Sequence, residues 1–203
     1  AAEVYKRQDR DPDHLDRQLI ADSAVLYLEG YLFDRPEAKL AFKAASEHAA
    51  LKGRKVALTL SDGFCVDRHR DEFLDLIRNN VDILFANEHE IKSLYQTGDF
   101  DSAAAQARLD SKLAVLTRSA KGSEIFAHGE VYSIAPDPVE AGIDTTGAGV
   151  LYAAGFLYGY ARQLPLESCG KLASMAAAEV ISHIGARPAQ PLSQLARDRG
   201  LLS

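Results

Sequence analysis

Short apolar segments alternate with helix-patterned segments along most of the chain, and this alternation restricts the possible fold more than any other feature. Val25–Gly30, Lys55–Leu60, Asp82–Ala86 and Leu113–Thr117 each read as a strand. Between the first two, residues 36–52 carry Leu40, Phe42, Ala45 and Ala49 at helical spacing. Pro36 stands at a first-turn position, where a missing N–H costs nothing. Ser61-Asp62-Gly63 reads as the turn that ends the second strand. Residues 69–79 place Phe73, Leu74 and Ile77 on one helix face, and 88–95 and 101–109 read as shorter helices. Strands apolar on both faces, separated by helices at this spacing, predict a parallel sheet with right-handed crossovers. The pattern then changes. Glu124–Ala127 and Glu130–Ile134 flank His128-Gly129 and predict an antiparallel hairpin. Helices are predicted over 147–162, 166–184 and 191–199. The expected fold is a three-layer α/β domain over 1–203, with a mostly parallel sheet flanked by helices and an antiparallel edge.

Composition narrows the function classes. The chain has 203 residues, 47% of them hydrophobic and 26% charged, enough to bury a core. A net charge of −6 and the lack of a basic stripe argue against nucleic acid as a partner. No apolar run reaches the ~18 residues of a membrane span, and no signal peptide opens the chain. Two cysteines, Cys65 and Cys169, imply no disulfide framework. A cytoplasmic setting is expected. Met175 is the only methionine, so the chain begins at Ala1 without an initiator.

The chemistry concentrates in Gly142-Ile143-Asp144-Thr145-Thr146-Gly147-Ala148-Gly149-Val150. Two glycines one residue apart open a long helical segment. Glycine lets the backbone approach a ligand closely, and the unpaired amides and dipole of a helix start favour an anion there. A phosphate cradle is one reading; a Gly-rich turn that merely starts a helix is the other. Asn87 and Glu90 also carry two readings on residue chemistry alone. Asn87 serves as a helix cap and Glu90 as a solvated helix residue, or both serve a ligand.

The string Asp-Thr-Thr-Gly-Ala-Gly, followed by Tyr152-Ala153-Ala154-Gly155-Phe156, resembles the signature of the ribokinase-like (PfkB-type) carbohydrate and nucleoside kinases. Asn87-Glu88-His89-Glu90 resembles that family's Asn-x-x-Glu motif. Thr117-Arg118-Ser119-Ala120-Lys121-Gly122 is similar to its nucleotide loop, and Ser182-His183-Ile184-Gly185-Ala186-Arg187-Pro188 to the loop closing the nucleotide site. The motifs keep the family's order, and the last pieces are most similar to bacterial adenosine kinases. The resemblance implies ATP-dependent transfer of a γ-phosphate to an alcohol of a nucleoside, adenosine first, or of a sugar. Gly147, Ala148 and Gly149 would form the anion hole. Asn87 and Glu90 would hold phosphates and the Mg²⁺ shell, with Glu90 acting through water. Thr117, Ser119, Gly122, Ser174 and Gly185 would line the nucleotide, with residues 174–187 against adenine and ribose. Asp144, Thr146 and carbonyls near Gly185 would hold a monovalent cation such as K⁺. His183 is expected to be a packed or partly exposed loop residue, not a metal ligand.

Two departures from the family pattern stand out. Ser119 occupies a position where many relatives have Gly. Val150 occupies the position of the family's catalytic aspartate, the general base for the substrate hydroxyl. An isopropyl group accepts no proton, and general-base help is worth roughly 10²–10⁴ in rate, about 3–5 kcal/mol of barrier. The family's front third, which supplies central strands, the lid and most substrate contacts, has no counterpart before Val25. The chain is therefore expected to be the C-terminal two-thirds of such a kinase and inactive alone. A second copy or the missing N-terminal segment is expected to cover its exposed sheet edge. The alternative is a non-catalytic nucleotide-binding or interaction module of the same fold.

Overall fold

A computed structural model describes residues 15–139 and 142–202. They fall into two compact units that divide between Ala114 and Val115. The first unit carries β1 (Val25–Glu29), β2 (Lys55–Thr59) and β3 (Ile83–Asn87), and β4 (Leu113–Thr117) runs across the division. Strand order follows chain order, and β1–β2 and β2–β3 pair in parallel. Val56, Ala57 and Leu58 are buried in succession, as are Ile83 and Leu84, so these strands are covered on both faces. That double burial is why they read as continuous apolar runs.

The helices of this unit are α1 (Arg17–Asp22), α2 (Pro36–Leu51), α3 (Gly63–Arg68), α4 (Arg70–Asn79), α5 (Glu88–Leu94) and α6 (Phe100–Asp110). Helix α2 buries Ala38, Phe42, Ala45 and Ala49 along one stripe, whereas Leu40, predicted on that face, is 62% exposed, because two residues from Phe42 is about 200° around the helix. Phe33, in a 3-10 helix over Gly30–Asp34, stacks on Phe73 of α4 at 4.3 Å and meets Phe42 edge-on at 5.4 Å. Helix α3 falls where only a turn was predicted. Its reason is the Asp62 side chain, which accepts from the amides of Phe64 and Cys65 and so starts a helix where Ser-Asp-Gly alone reads as a bend. Helix α1 and the 3-10 segment also lie outside the predicted elements.

The second unit carries the hairpin β5 (Ser123–Ala127) and β6 (Glu130–Ile134), paired antiparallel. His128 and Gly129 turn it with φ of 53° and 83°, the left-handed geometry that matches strand twist. Helices α7 (Ala148–Ala161), α8 (Leu166–Ile181) and α9 (Leu192–Asp198) follow. Both cysteines are buried and unpaired by disulfide. Among the described residues, no helix is long and apolar enough to cross a membrane.

Helices α7 and α8 pack with almost no side chain between them at one point. A Cβ on Gly155 would lie 2.7 Å from the Leu172 carbonyl oxygen and 2.8 Å from Ala173 Cα, both backbone atoms that cannot swing away. Alanine is favoured over glycine in a helix by about 1 kcal/mol, whereas overpacking costs about 1–3 kcal/mol. Overpacking therefore wins. Gly155→Ala is expected to lower stability by about 1–2 kcal/mol in urea denaturation; an unchanged or higher midpoint would mean that the helices part freely.

Candidate functional site

The glycine loop is built from its two ends. Helix α8 was predicted to reach 184 but stops at Ile181, where Ser182 folds its hydroxyl back onto the Glu179 carbonyl at 2.7 Å. That leaves the Ile181 carbonyl free to accept from the amides of Ile143 and Asp144, at 2.9 and 3.4 Å. The Asp144 carboxylate then joins the two segments. Oδ1 accepts from the Thr146 amide at 2.9 Å and Oδ2 from the Gly185 amide at 3.0 Å. The hydroxyl of Thr146, with the amides of Gly185 and Thr146, holds the Asp144 carboxyl down to about 2.

Gly147 follows with φ of 85° and caps α7. A Cβ there would lie 3.0 Å from Ala186 Cβ, so conformation and space both demand glycine. Ala148 donates to the Thr145 carbonyl at 3.1 Å. Among the described residues, the amides of Gly147, Gly149 and Val150 have no hydrogen-bond partner. Gly149 stands in open space, with no atom within 4 Å of an added Cβ. Val150 is 51% exposed. Asp144, Thr146, Gly147 and Gly185 thus come together in one knot, and the first turn of α7 presents bare amides beyond it.

Beside this knot lies a cavity of about 360 Å³, within the range of small-molecule pockets. Its walls include Pro138, Ile143 and Leu195, with Glu179, Ser182 and Arg199 as polar groups. Glu179 is nearly buried; one carboxylate oxygen accepts from the Ala189 amide at 2.9 Å, and the other lies 3.5 Å from His183 Nε2. His183 is a partly exposed residue of the loop after α8. Arg199 pairs with Asp137 at the wall. Sequence reasoning named the segment 174–187 but missed Pro138, Leu195 and Arg199. The i, i+4 spacing of Leu195 on α9 and Arg199 at its C-cap was the available signal.

Ser174 spends its hydroxyl inside the protein, accepting from the Asp137 amide at 2.8 Å and donating to the Ala135 carbonyl at 3.3 Å. It therefore fixes the strand-to-pocket connection. Thr117 ends β4, and Ser119 opens a one-turn 3-10 helix with φ of 52°. Ser119 thus adopts the left-handed conformation that a glycine would take without strain. Gly122, φ 83°, closes the turn against the Ile134 carbonyl, where no Cβ fits. Arg118 forms an ion pair with Glu124 at 3.0 Å.

Asn87 and Glu90 belong to the first unit. Asn87 caps α5, accepting from the Glu90 amide at 2.8 Å, while its own amide and side-chain NH₂ donate to the Glu90 carboxylate at 2.9 and 2.7 Å. Asn87 is therefore a cap, and Glu90 is 6% exposed, not solvated. Burial raises the Glu90 pKa against the lowering effect of the Asn87 bond, and the charges of Asp62 and Glu29 raise it further. Three carboxylates thus share this region, which sits at the C-terminal ends of β1, β2 and β3.

Parallel βα units followed by an antiparallel hairpin and a glycine loop opening a long helix define the ribokinase-like class. Residues 2–192 match the pfkB family of carbohydrate kinases, and the chain belongs to that family. A crystal structure described as a probable sugar kinase from Rhizobium etli is 47% identical, with a TM-score of 0.92 over 95% of this chain and 58% of its own. Adenosine kinase from Sinorhizobium meliloti is 46% identical, with a TM-score of 0.91 over 93% of this chain and 58% of its own. A cytidine kinase from Thermococcus kodakarensis is 32% identical over 66% of this chain and 50% of its own length. The chain spans about half the length of the first curated relatives it matches.

The Asp144 knot has a direct signature. A depressed carboxyl pKa means that its bonds are complete above the ordinary value of 3.8 and are lost as pH falls through about 2. NMR titration of the Asp144 carboxyl is expected to show a midpoint near 2. A midpoint at or above 3.8 would show that the Thr146 and Gly185 donors do not hold it.

Proposed function

We propose that this chain is the nucleotide-binding portion of an ATP-dependent phosphotransferase acting on an alcohol of a nucleoside, adenosine first, or of a sugar. The observation that carries the proposal is the set of bare amides of Gly147, Gly149 and Val150 at the start of α7, held by the Asp144 knot. Such amides stabilise the charge of a transferring phosphoryl group without moving. The adjoining cavity would take the base and ribose, with apolar walls for stacking and Glu179 and Ser182 for polar contact. The names of the rhizobial relatives support the choice of sugar or nucleoside.

Mg²⁺ would be held through water near Glu90, where Glu29 and Asp62 add negative charge. When bound, it would neutralise charge on the phosphates. Asp144 and Thr146 would serve a monovalent cation such as K⁺, although the Asp144 carboxylate oxygens are already engaged by amides. Among the described residues, β1 pairs with β2 on one side, and Val25, Leu26 and Tyr27 are only partly buried. A further strand, from the rest of a longer protein or from a second copy, would pair along its other side.

A second reading, a nucleotide-binding module without catalysis, is favoured by Val150. Position 150 lies in the first turn of α7, which carries no acidic residue. An aspartate there would gain about 0.3–1 kcal/mol from the helix dipole. Folding therefore gives no reason for valine, and Val150→Asp is expected to fold normally.

Two measurements separate the readings. Calorimetry is expected to show ATP binding that Gly149→Ala weakens at least about tenfold, because the new methyl group stands where phosphate approaches. Equal affinity in the two proteins would remove this loop from the nucleotide site. In a longer chain that also carries the family's front third, Val150→Asp is then expected to raise ATP-dependent phosphorylation of adenosine or ribose by about 10²- to 10⁴-fold. ATP binding without any phosphorylation in that variant would favour the non-catalytic module.

A further inference from the structure

Asp34, Cys65 and His69 converge within the first unit, on residues that the phosphate-binding motifs do not use. Asp34 ends the 3-10 helix, Cys65 lies in α3, and His69 joins α3 to α4. Asp34 Oδ1 is 2.9 Å from His69 Nε2 and 3.9 Å from Cys65 Sγ, and the three potential ligand atoms all lie within 4.8 Å of one another. We propose that these three side chains form a binding site for a divalent transition metal of the zinc class, with solvent completing a tetrahedral shell.

The geometry is close to what such an ion needs. Zinc bonds of about 2.0 Å to N and O and about 2.3 Å to S place tetrahedral ligand atoms about 3.3–3.6 Å apart. The Oδ1–Nε2 pair must open by a few tenths of an ångström, and the thiolate must close on it by up to about 1.3 Å. Thiolate, imidazole and carboxylate together suit a borderline-soft ion and not Mg²⁺, so the site is chemically distinct from one for metal–nucleotide.

The surroundings also fit. Glu72 Oε2 lies 3.1 Å from His69 Nδ1. With Nδ1–H donating to Glu72, Nε2 turns a lone pair towards Asp34 and Cys65, the carboxylate–histidine–metal arrangement. Without an ion, the other tautomer serves: Nε2–H donates to Asp34, and Lys39 Nζ, 3.1 Å from Nδ1, donates there. Arg68 holds Asp34 Oδ2 at 2.7 Å and keeps that oxygen out of the shell, while its contact of 3.0 Å to Oδ1 must open. Lys39 also meets Glu72 at 2.5 Å, so Glu72 and the ligand Asp34 each have a cation beside them. Asp34 and a Cys65 thiolate cancel the charge of a dication. Cys65 is buried, donating to the Gly30 carbonyl at 3.4 Å, and the ion would enter past the exposed Asp34.

Cobalt(II) titration of the reduced full chain tests the site. The expected result is a thiolate-to-cobalt charge-transfer band in the near ultraviolet that saturates at one equivalent and is displaced by Zn²⁺. Cys65→Ser abolishes the band, and Cys169→Ser leaves it unchanged. Glu72→Gln weakens metal affinity by about 10–100-fold. Asp34→Asn, at an exposed position, weakens it comparably, which keeps the test decisive if Cys65→Ser misfolds by circular dichroism. No band in the folded wild-type chain, or a band that survives Cys65→Ser, overturns the proposal, as does undiminished affinity in Asp34→Asn.

Discussion

One carboxylate holds the candidate phosphate site together. Asp144 ties the loop before α7 to the loop after α8, accepting amides from Thr146 and from Gly185, 41 residues away in sequence. Neither loop has a repeating hydrogen-bond pattern to hold it. Their mutual position rests on these bonds, on the Ile181 carbonyl and on the close seat of Gly147 against Ala186. The direction in which the α7 amides point follows from that seat. The loop's acceptors are already engaged, the Asp144 carboxylate by the amides of Thr146 and Gly185 and the Thr145 carbonyl by that of Ala148, and among the described residues the amides of Gly147, Gly149 and Val150 have no partner. A cradle that needs no rearrangement to receive an anion is the arrangement that favours charge stabilisation in a transition state.

The knot is useful only on a stiff support, and α7 and α8 supply one. Gly155 faces the backbone of Leu172 and Ala173, Gly159 faces Cys169, and Gly170 of α8 faces Ile125 and Ile134 of the hairpin. At Gly155 the contact is with backbone atoms and leaves no room for a side chain, whereas at Gly159 and Gly170 an added methyl group would have to displace neighbouring side chains. The helix that starts at the cradle and the helix that ends beside the cavity are thereby held at short range.

The sequence carried most of the framework because burial writes itself into periodicity. Continuous runs such as Ile83–Ala86 marked strands covered on both faces, and Phe42, Ala45 and Ala49 marked the inner stripe of α2, although Leu40, read with them, turns out to solvent. The hairpin was legible from His128-Gly129. Helix α3 was hidden because Asp62 acts through a cap, and the same Ser-Asp-Gly letters serve a turn equally well. The end of α8 was misjudged by three residues because Ser182 terminates it by bending back onto Glu179, a local bond without a periodic signal. Within the candidate site, glycines were legible by their chemistry, whereas the inward use of Ser174 was not. A hydroxyl facing a ligand and one facing a carbonyl are spelled alike. The pocket wall on α9 was hidden for a related reason: a short helix shows its inner face only once its partner is known.

The contrast between Gly149 and Val150 bears most directly on function. A residue retained for folding should resist replacement in the folded state alone, yet neither does. Gly149 has empty space where its side chain would be, and an alanine would suit the helix at least as well. Val150 is half exposed in a helix turn that electrostatics would rather fill with an acid. Stability therefore accounts for neither residue, and the two depart from it in opposite senses. Glycine at 149 keeps the backbone reachable, which only a ligand requires. Valine at 150 removes a proton acceptor, which only chemistry would miss. Under the proposed function, the loop would grip a phosphate through its backbone, and Val150 would leave an attacking alcohol without a general base at that position. Grip and proton transfer are separate contributions to the rate, so losing one leaves the other measurable.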